Sequence, residues 1–332
     1  MARHWGGGRT GGHVQRSAAR PARGVAADVL TRAVRLVLAS MWVGRQRKGS
    51  EGAAAGDLGG RFPLLIRTRF SEDAVLLDPK EGLVLRTHRS SPPSPAVLEA
   101  RRRLARHLAM PSWEVRPEVP GMTEEYVEGD HLAALPQSEQ EAVVRELLVA
   151  QGRLAADEGE GSTAAVLQGA LQVVDRVDAP VSLRAELDRE RPRLAVVAER
   201  CPLVPAHGDM SSDNLVVRDG RPVIIDLEWA GMLPFGYDPL WLLLEEAVHR
   251  RRPALLQAYL RGVFDPELRA ACTAADLPPA EGTGRRLLLL VLLVRCHVTT
   301  RHQASGDARF ALDLAAGWEA LSSATAAAQS DD

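Results

Sequence analysis

A tight hairpin in the second half of the chain most restricts how this sequence can fold. Two apolar runs rich in valine and isoleucine, 215–217 and 223–225, flank the segment RDGRP. An Asp-Gly pair between two such runs is a strong hairpin signal. Paired strands lie about 4.8 Å apart, so the hairpin should bring Asn214, just before it, beside Asp226, just after it. Asp209 precedes Asn214 by five residues, and three oxygen-bearing side chains are therefore expected at one hairpin mouth.

The chemistry of these three side chains points to phosphoryl transfer. Carboxylate and amide oxygens suit Mg²⁺, which takes few protein ligands and shares its remaining positions with phosphate and water. A further carboxylate outside the metal shell can accept the proton of an attacking hydroxyl. Phosphoryl transfer uses these parts together. The alternative is a loop in which Asp and Asn merely cap turns, but the joint spacing and the hairpin favour the catalytic interpretation.

Composition and charge exclude several other classes of protein. The chain is 45% hydrophobic and 25% charged, with a formal net charge of -2, so we expect a globular protein that is not drawn to nucleic acid. The three cysteines form no CxxC pair, which argues against a disulfide framework or a Cys-rich zinc site. The longest apolar run, 287–294, is too short to span a membrane, and no signal peptide is visible. We expect a cytoplasmic protein, and the oligomeric state stays open.

The chain changes character twice along its length. Residues 1–60 hold ten Arg or Lys against three Asp or Glu. We expect a flexible basic extension with an amphipathic helix at 27–43, which could dock on the body or contact an anionic partner or a membrane. Residues 61–129 carry short β-rich runs and predict a small antiparallel N-lobe. Residues 130–332 predict a larger helical C-lobe with the catalytic and metal loops at 204–241. The predicted fold class is α+β.

Local signals place individual elements. The runs RFPLLIRTRF, AVLLD and GLVLRTHR predict a three-stranded antiparallel meander, and MTEEYVEGD predicts a strand that ends at Gly129. Ser94 and Pro95 are suited to start a helix. Ser138 with Glu141 resembles a capping box that opens the next helix. Further helical segments are expected at 162–177, at 181–200, and at 239–325 with breaks near 263–284 and 303–307.

The segments HGDMSSDN and IIDLEWA resemble the aminoglycoside phosphotransferase and choline kinase family. The resemblance covers roughly 62–325 and implies a bilobal protein-kinase-like fold that binds ATP or GTP and Mg²⁺. It implies that Asp209 is the catalytic base and that Asn214 and Asp226 are metal ligands.

Residues beside this trio receive weaker assignments from the same resemblance. His207 resembles the family's loop histidine, and orientation of the catalytic loop is its expected role. Asp238 resembles an aspartate that supports the lobe. Glu228 could assist the metal or bind a cationic substrate group, or it could be a solvated loop carboxylate.

The nucleotide side departs from the kinase pattern. The third strand offers Arg86 where kinases carry a lysine, and the only lysines are Lys48 and Lys80. Arginine can bind phosphate through its planar fork, so the exchange is chemically possible. Glu99 on the following helix is the expected partner of Arg86; its alternative is a surface pair with Arg103.

The rest of the predicted nucleotide site lies on loops. Between the first two strands the loop FSEDA lacks glycine, so Ser71 and backbone N–H groups would have to hold phosphate. By the resemblance, the backbone of Glu125, Tyr126 and Val127 would meet the nucleobase.

These observations predict an ATP- or GTP-dependent, Mg²⁺-dependent phosphotransferase. The expected acceptor is a hydroxyl of a small molecule, such as an aminoglycoside-like antibiotic, a sugar or an amino alcohol. Two alternatives stay open: a kinase of Ser or Thr hydroxyls in a peptide during natural-product maturation, and a non-catalytic kinase-fold scaffold.

Overall fold

The computed structural model divides the chain into two compact units, Met1–Ile66 and Arg67–Asp332. The basic extension predicted at 1–60, its helix at 27–43, and Ser71 lie outside the described residues. The predicted domain boundaries stay predictions. The structure describes residues 64–67, 74–78, 81–87, 94–116, 121–278, 282–302 and 306–330.

The N-terminal part of the second unit is an antiparallel sheet. Strand β1 spans Leu64–Arg67, and the sheet of the second unit has the order β2-β3-β5-β4. The predicted antiparallel pairing of the second and third strands is confirmed, with Leu76 opposite Leu85. The bounds are β2 Ala74–Asp78, β3 Leu83–Thr87, β4 Trp113–Arg116 and β5 Gly121–Glu125.

One sequence prediction for this sheet is wrong, and one strand was not predicted. The strand expected to end at Gly129 ends at Glu125, because its partner β3 begins at Leu83, directly opposite Glu125; the N–H of Tyr126 makes one further bond, to the carbonyl of Gly82 at 2.7 Å. Strand β4 was missed because it lies in a proline-rich stretch. The prolines at 111 and 117 flank that strand instead of interrupting its ladder.

The larger part of the unit is helical. Two further starts depart from expectation. Helix α2 begins after Pro136 without a side-chain cap, so the capping box at Ser138 is wrong. Helix α7 lies inside a predicted break, because its proline occupies the first turn, where no helical hydrogen bond is lost. The helices are α1 Pro95–Leu104, α2 Gln137–Glu158, α3 Ala164–Val174, α4 Val181–Arg200, α5 Tyr237–Val248, α6 Ala254–Leu260, α7 Asp265–Ala274, α8 Thr283–His302 and α9 Gly306–Ser330.

Short strands between α4 and α5 carry the polar segment. Strand β7 (Leu203–Ala206) pairs with β10 (Gly231–Pro234), while β8 (Leu215–Arg218) pairs with β9 (Arg221–Ile224) and with β6 (Asp130–His131). Helices pack around them with a continuous apolar core that includes the run 287–294 of α8. No helix in the described part of the chain is long and apolar enough to cross a membrane. The α+β class, with a small antiparallel lobe and a larger helical lobe, is confirmed.

Candidate active site

The predicted hairpin forms and juxtaposes the residues at its two ends. Asp219 and Gly220 form the turn with positive φ values of 53° and 74°, as a two-residue hairpin turn of type I′ requires. At the open end Leu215 lies opposite Ile224, and the N–H of Ile225 donates to the carbonyl of Asn214 at 3.0 Å. Asn214 and Asp226 therefore meet at one hairpin mouth, as predicted.

Asn214 is oriented by the loop that carries Asp209. Its amide nitrogen donates to the backbone carbonyl of Asp209 at 2.9 Å. Because the nitrogen is used in this bond, the side-chain oxygen is the atom that Asn214 can offer to a cation. This bond places the third predicted residue beside the other two.

Asp226 completes the group in a left-handed backbone conformation, with φ of 67°. Aspartate tolerates this region better than most residues. Its Oδ1 lies 2.8 Å from Nη1 of Arg86. Glu228, two residues on, is exposed and accepts a hydrogen bond from Nε1 of Trp229 at 3.2 Å.

The donor set at the hairpin mouth fits Mg²⁺ bound largely through a nucleotide. Within the described residues there is no cluster of three or more His, Cys, Asp or Glu side chains that could hold a metal. Asn214 and Asp226 do supply two hard oxygens, and Mg²⁺ commonly binds through one or two protein groups plus phosphate oxygens and water. The residues present therefore fit that ion only together with a phosphate ligand.

His207 is fully buried and held through both ring nitrogens. Nδ1 accepts the N–H of Asp209 at 3.1 Å, and Nε2 lies 2.8 Å from the carbonyl of Ile225. A carbonyl only accepts, so Nε2 carries the proton and Nδ1 is the acceptor, which makes the ring neutral. The ring ties the loop of Asp209 to the strand that leads to Asp226. This geometry suits orientation of the loop, not proton transfer.

Asp238 binds the backbone of the same loop. Its two carboxylate oxygens accept the N–H groups of His207 at 2.7 Å and Gly208 at 3.1 Å. Burial raises the pKa of Asp238, while the hydrogen bonds from these two backbone N–H groups oppose the shift. Gly208 adopts φ of 84°, and a Cβ there would lie 2.3 Å from the carbonyl oxygen of Trp229, so only glycine fits this turn.

Arg295 on helix α8 contacts the Asp209 loop, and the sequence did not reveal it. Nη2 lies 2.7 Å from Oδ1 of Asp209, and Nη1 donates to the carbonyl of Gly208 at 2.7 Å. The guanidinium also stacks on the Trp241 ring at 4.4 Å. The fork therefore holds Oδ1 of Asp209 and the backbone carbonyl of Gly208 at the same time.

Arg86 lies on β3 as predicted, but its partner differs from the prediction. Nε of Arg86 binds Oε2 of Glu124 at 2.8 Å, in addition to the contact with Asp226. Glu124 is 3% exposed, and its other oxygen pairs with Nη1 of the buried Arg101. The expected pairing of Arg86 with Glu99 is wrong. Glu99 is on the exposed side of α1 and pairs with Arg102 at 3.1 Å.

The segment expected to meet the nucleobase is partly committed already. The N–H of Glu125 donates to the carbonyl of Ser112 at 2.9 Å, and that of Tyr126 donates to Gly82. The Glu125 carboxylate pairs with Arg218 at 2.7 Å, which lowers its pKa. Within the described residues no backbone acceptor reaches the N–H of Val127, so among the three predicted positions this group is the available donor.

Comparison with known families assigns the chain. The model of the phosphotransferase enzyme family matches residues 65–272, which is more than half of the chain. The chain belongs to the phosphotransferase enzyme family. The predicted enzyme class, a phosphotransferase with an alcohol group as acceptor, is confirmed. A search of curated proteins finds no match.

Solved structures similar to this phosphotransferase have low sequence identity to it. One is a choline/ethanolamine kinase family protein from Mesorhizobium loti, at 19% identity and a TM-score of 0.49, covering 84% of this chain and 98% of that one. Another is the macrolide 2'-phosphotransferase MphH from Brachybacterium faecium, at 18% identity and a TM-score of 0.48, covering 80% and 96%.

Three residues of this phosphotransferase escaped the sequence analysis, and one of them left a readable signal. Arg101 falls between Val97 and Leu104 on the apolar stripe of α1, where a charge needs a buried partner. Glu124 and Arg295 gave weaker signals, because the register of β5 and the position of α8 are not encoded locally.

Proposed function

We propose that the chain transfers the γ-phosphoryl group of ATP or GTP, bound with Mg²⁺, to a hydroxyl of a small molecule. The observation that carries this proposal is the convergence of Asp209, Asn214 and Asp226 at the mouth of one hairpin. Each has its orientation set by neighbouring groups before substrate arrives. Such preorganisation is the main protein contribution to phosphoryl transfer.

In the proposed reaction Asp209 is the base. One oxygen is held by Arg295, and the other accepts the proton of the acceptor hydroxyl. The acceptor oxygen forms a bond to the γ-phosphorus while the bond from that phosphorus to the β,γ-bridging oxygen breaks. The products are a phosphate monoester and the nucleoside diphosphate, and the proton stays on Asp209 until it passes to solvent.

Asn214 and Asp226 would hold Mg²⁺ together with the nucleotide phosphates. When bound, the ion supplies positive charge that offsets the charge of the phosphate oxygens. Arg86 adds a cation on the same side. Its guanidinium already contacts Asp226, so in this role it would shift from that carboxylate toward the phosphates.

The remaining predicted roles complete this proposal. Val127 would donate its backbone N–H to the nucleobase, with Glu125 and Tyr126 shaping that segment. Glu228 is exposed beside the hairpin mouth and would face the metal or a cationic group of the acceptor. A phosphate role for Ser71 stays a prediction.

Sugars, amino alcohols and aminoglycoside-like antibiotics are the proposed acceptor classes. The scaffold alternative is disfavoured because all three hairpin-mouth residues are present and lie together. No contact among the described residues favours a peptide over a small molecule.

The test is a search for phosphorylated product. Purified protein is incubated with Mg²⁺ and ATP or GTP against a panel of aminoglycosides, sugars, amino alcohols and a serine-containing peptide. Mass spectrometry should find one acceptor that gains one phosphoryl group with the wild type and not with Asp209→Asn. Phosphorylation of only the peptide would contradict the small-molecule assignment. Product formed equally by both proteins would contradict the site.

A further inference from the structure

The register of the small sheet gathers charged residues on one face. Arg86 of β3 lies opposite Met122 of β5, and Val84 lies opposite Glu124. Glu124 also lies opposite Trp113 of β4. Residues directly opposite each other in a sheet project from the same face, so Arg86, Glu124 and Trp113 share a face.

Helix α1 places Arg101 on that same face. Its Nη1 pairs with Oε1 of Glu124 and lies 3.3 Å from Sδ of Met122. Its guanidinium stacks over Trp113 at 5.0 Å. Arg101 is 1% exposed, so an arginine from the helix is buried against the sheet at a position where an apolar residue would ordinarily pack.

The result is a continuous ionic chain from the helix to the hairpin mouth. Arg101 binds one oxygen of Glu124, Glu124 binds Arg86 through its other oxygen, and Arg86 binds Asp226. Burial alone would raise the pKa of Glu124, but the two guanidinium groups hold it below its usual value. Glu124 is therefore ionised, and Arg101, Glu124 and Arg86 each lie against an oppositely charged side chain, as burial demands.

We infer that Glu124 and Arg101 are positioning residues that set Arg86 for the nucleotide phosphates. This inference rests on the proposed function. In the expected arrangement an acid on the helix would have held the strand cation directly. Here the charges are arranged the other way round. The helix supplies a second cation, Arg101, and an acid on the neighbouring strand, Glu124, bridges it to Arg86.

Glu124 competes with Asp226 for Arg86. While Glu124 holds Nε, the guanidinium is fixed relative to the sheet and only Nη1 reaches Asp226. Without that hold Arg86 would be free to pair fully with Asp226. The pair would then withhold a cation from the phosphates and a carboxylate from Mg²⁺ at once. Arg101 fixes the Glu124 carboxylate from the helix, so nucleotide affinity is the quantity that should depend on both residues.

The other end of the network is anchored as well. Arg103, two residues beyond Arg101, binds the Glu158 carboxylate through Nε at 2.8 Å and the Glu158 carbonyl through Nη2 at 2.7 Å. Glu158 ends helix α2 of the large lobe. Helix α1 is thereby held by contacts with both lobes. The position of Arg101 on this helix in turn fixes Glu124, which holds Arg86.

The test compares Arg101→Met with the matched control Arg102→Met. Both arginines are on α1 and both lie over Trp113, but only Arg101 reaches Glu124. Binding of Mg²⁺·ADP or Mg²⁺·GDP, whichever the wild type takes, is measured by calorimetry, and the matching nucleoside serves as a phosphate-free probe. Loss of a charged hydrogen bond predicts affinity for the diphosphate about tenfold lower or more in Arg101→Met. Nucleoside binding, and both affinities of Arg102→Met, should stay within about twofold of wild type.

Arg101→Lys provides the conservative rescue. Its single ammonium can reach Glu124 but lacks the fork, so its diphosphate affinity should fall between the wild type and Arg101→Met. Should Arg101→Met fail to fold by circular dichroism, Arg101→Lys decides, with a loss of about threefold or more expected. Diphosphate affinity equal to wild type in the deciding variant would overturn the inference, as would equal losses for diphosphate and nucleoside. A wild type that binds neither diphosphate would instead overturn the proposed function.

Discussion

The hairpin mouth and the face of the small sheet form the two halves of the proposed site, and they are built in different ways. The hairpin residues are close in sequence, and an Asp-Gly turn fixes their meeting. Arg86, Arg101 and Glu124 come from a strand, a helix and another strand, and only the sheet register joins them. The first half is local chemistry that a sequence displays. The second half depends on tertiary structure. Nothing in the local sequence around Arg86 shows which residues pair with it.

The largest expected effect is on the hairpin side. Asp209→Asn removes the proposed base while leaving the size of the side chain unchanged. General-base catalysis contributes about 10²–10⁴-fold, so turnover on the identified acceptor should fall by that factor. Nucleotide affinity should change by less than about twofold. Steady-state kinetics and calorimetry measure the two quantities, and wild-type turnover in Asp209→Asn would show that another group takes the proton.

A substitution on the face of the small sheet should change nucleotide binding and not turnover. Arg86→Met keeps an unbranched side chain but deletes the cation, so the nucleotide KM should rise about tenfold or more. The acceptor KM should stay near the wild-type value. The comparison between the two halves breaks down if Arg86→Met lowers only kcat and leaves the nucleotide KM unchanged.

Arg295→Met tests the contact that fixes Asp209 from helix α8. Methionine can keep packing on Trp241 but frees the carboxylate, and we expect kcat about tenfold lower. Nucleotide affinity should be preserved, which separates this variant from those on the sheet face. Arg269→Met on the exposed side of α7 serves as the control. A changed nucleotide affinity with normal kcat would remove Arg295 from the catalytic side.

The same two halves differ in how much of each could be predicted from the sequence. The hairpin, its three residues, the cap at Ser94 and the strand of Arg86 were all visible, because turn residues and short spacing encode them. The partner of Arg86 was predicted wrongly, because Glu99, the acid expected from the resemblance, is on the exposed side of α1, and Glu124 of the neighbouring strand pairs with Arg86 instead. Arg295 is 86 residues from Asp209, and no local pattern links two such positions.

The smallest expected effect is on the pH dependence of stability, and it follows from a comparison of two buried glutamates. Glu124, between two arginines, has a lowered pKa, whereas burial raises the pKa of Glu245 on α5 to about 7, with only Arg250 opposing the shift. The pKa of a glutamate in an unfolded chain is about 4.3. At a pH between this value and about 7, the unfolded chain has released the Glu245 proton while the folded chain keeps it. This contribution to stability is therefore present at low pH and is lost as pH rises toward 7.

Thermal unfolding between pH 5 and about pH 8 measures this contribution. The difference in Tm between wild type and Glu245→Gln should become smaller or change sign with pH, since the amide does not titrate. The exposed Glu139→Gln should follow the wild-type pH dependence. Parallel curves for wild type and Glu245→Gln would mean that Glu245 does not titrate in this range.

The central claim, that Asp226 and Asn214 hold a nucleotide through Mg²⁺, is tested most directly by binding. Asparagine tolerates the left-handed backbone at position 226, so Asp226→Asn changes charge without changing the turn. Thermal shift with ATP and GTP, with and without Mg²⁺, should show stabilisation of the wild type by several degrees at saturating nucleotide. The Mg²⁺-dependent part should vanish in Asp226→Asn. An identical Mg²⁺-dependent shift in both proteins, or no shift in a folded wild type, would contradict the account.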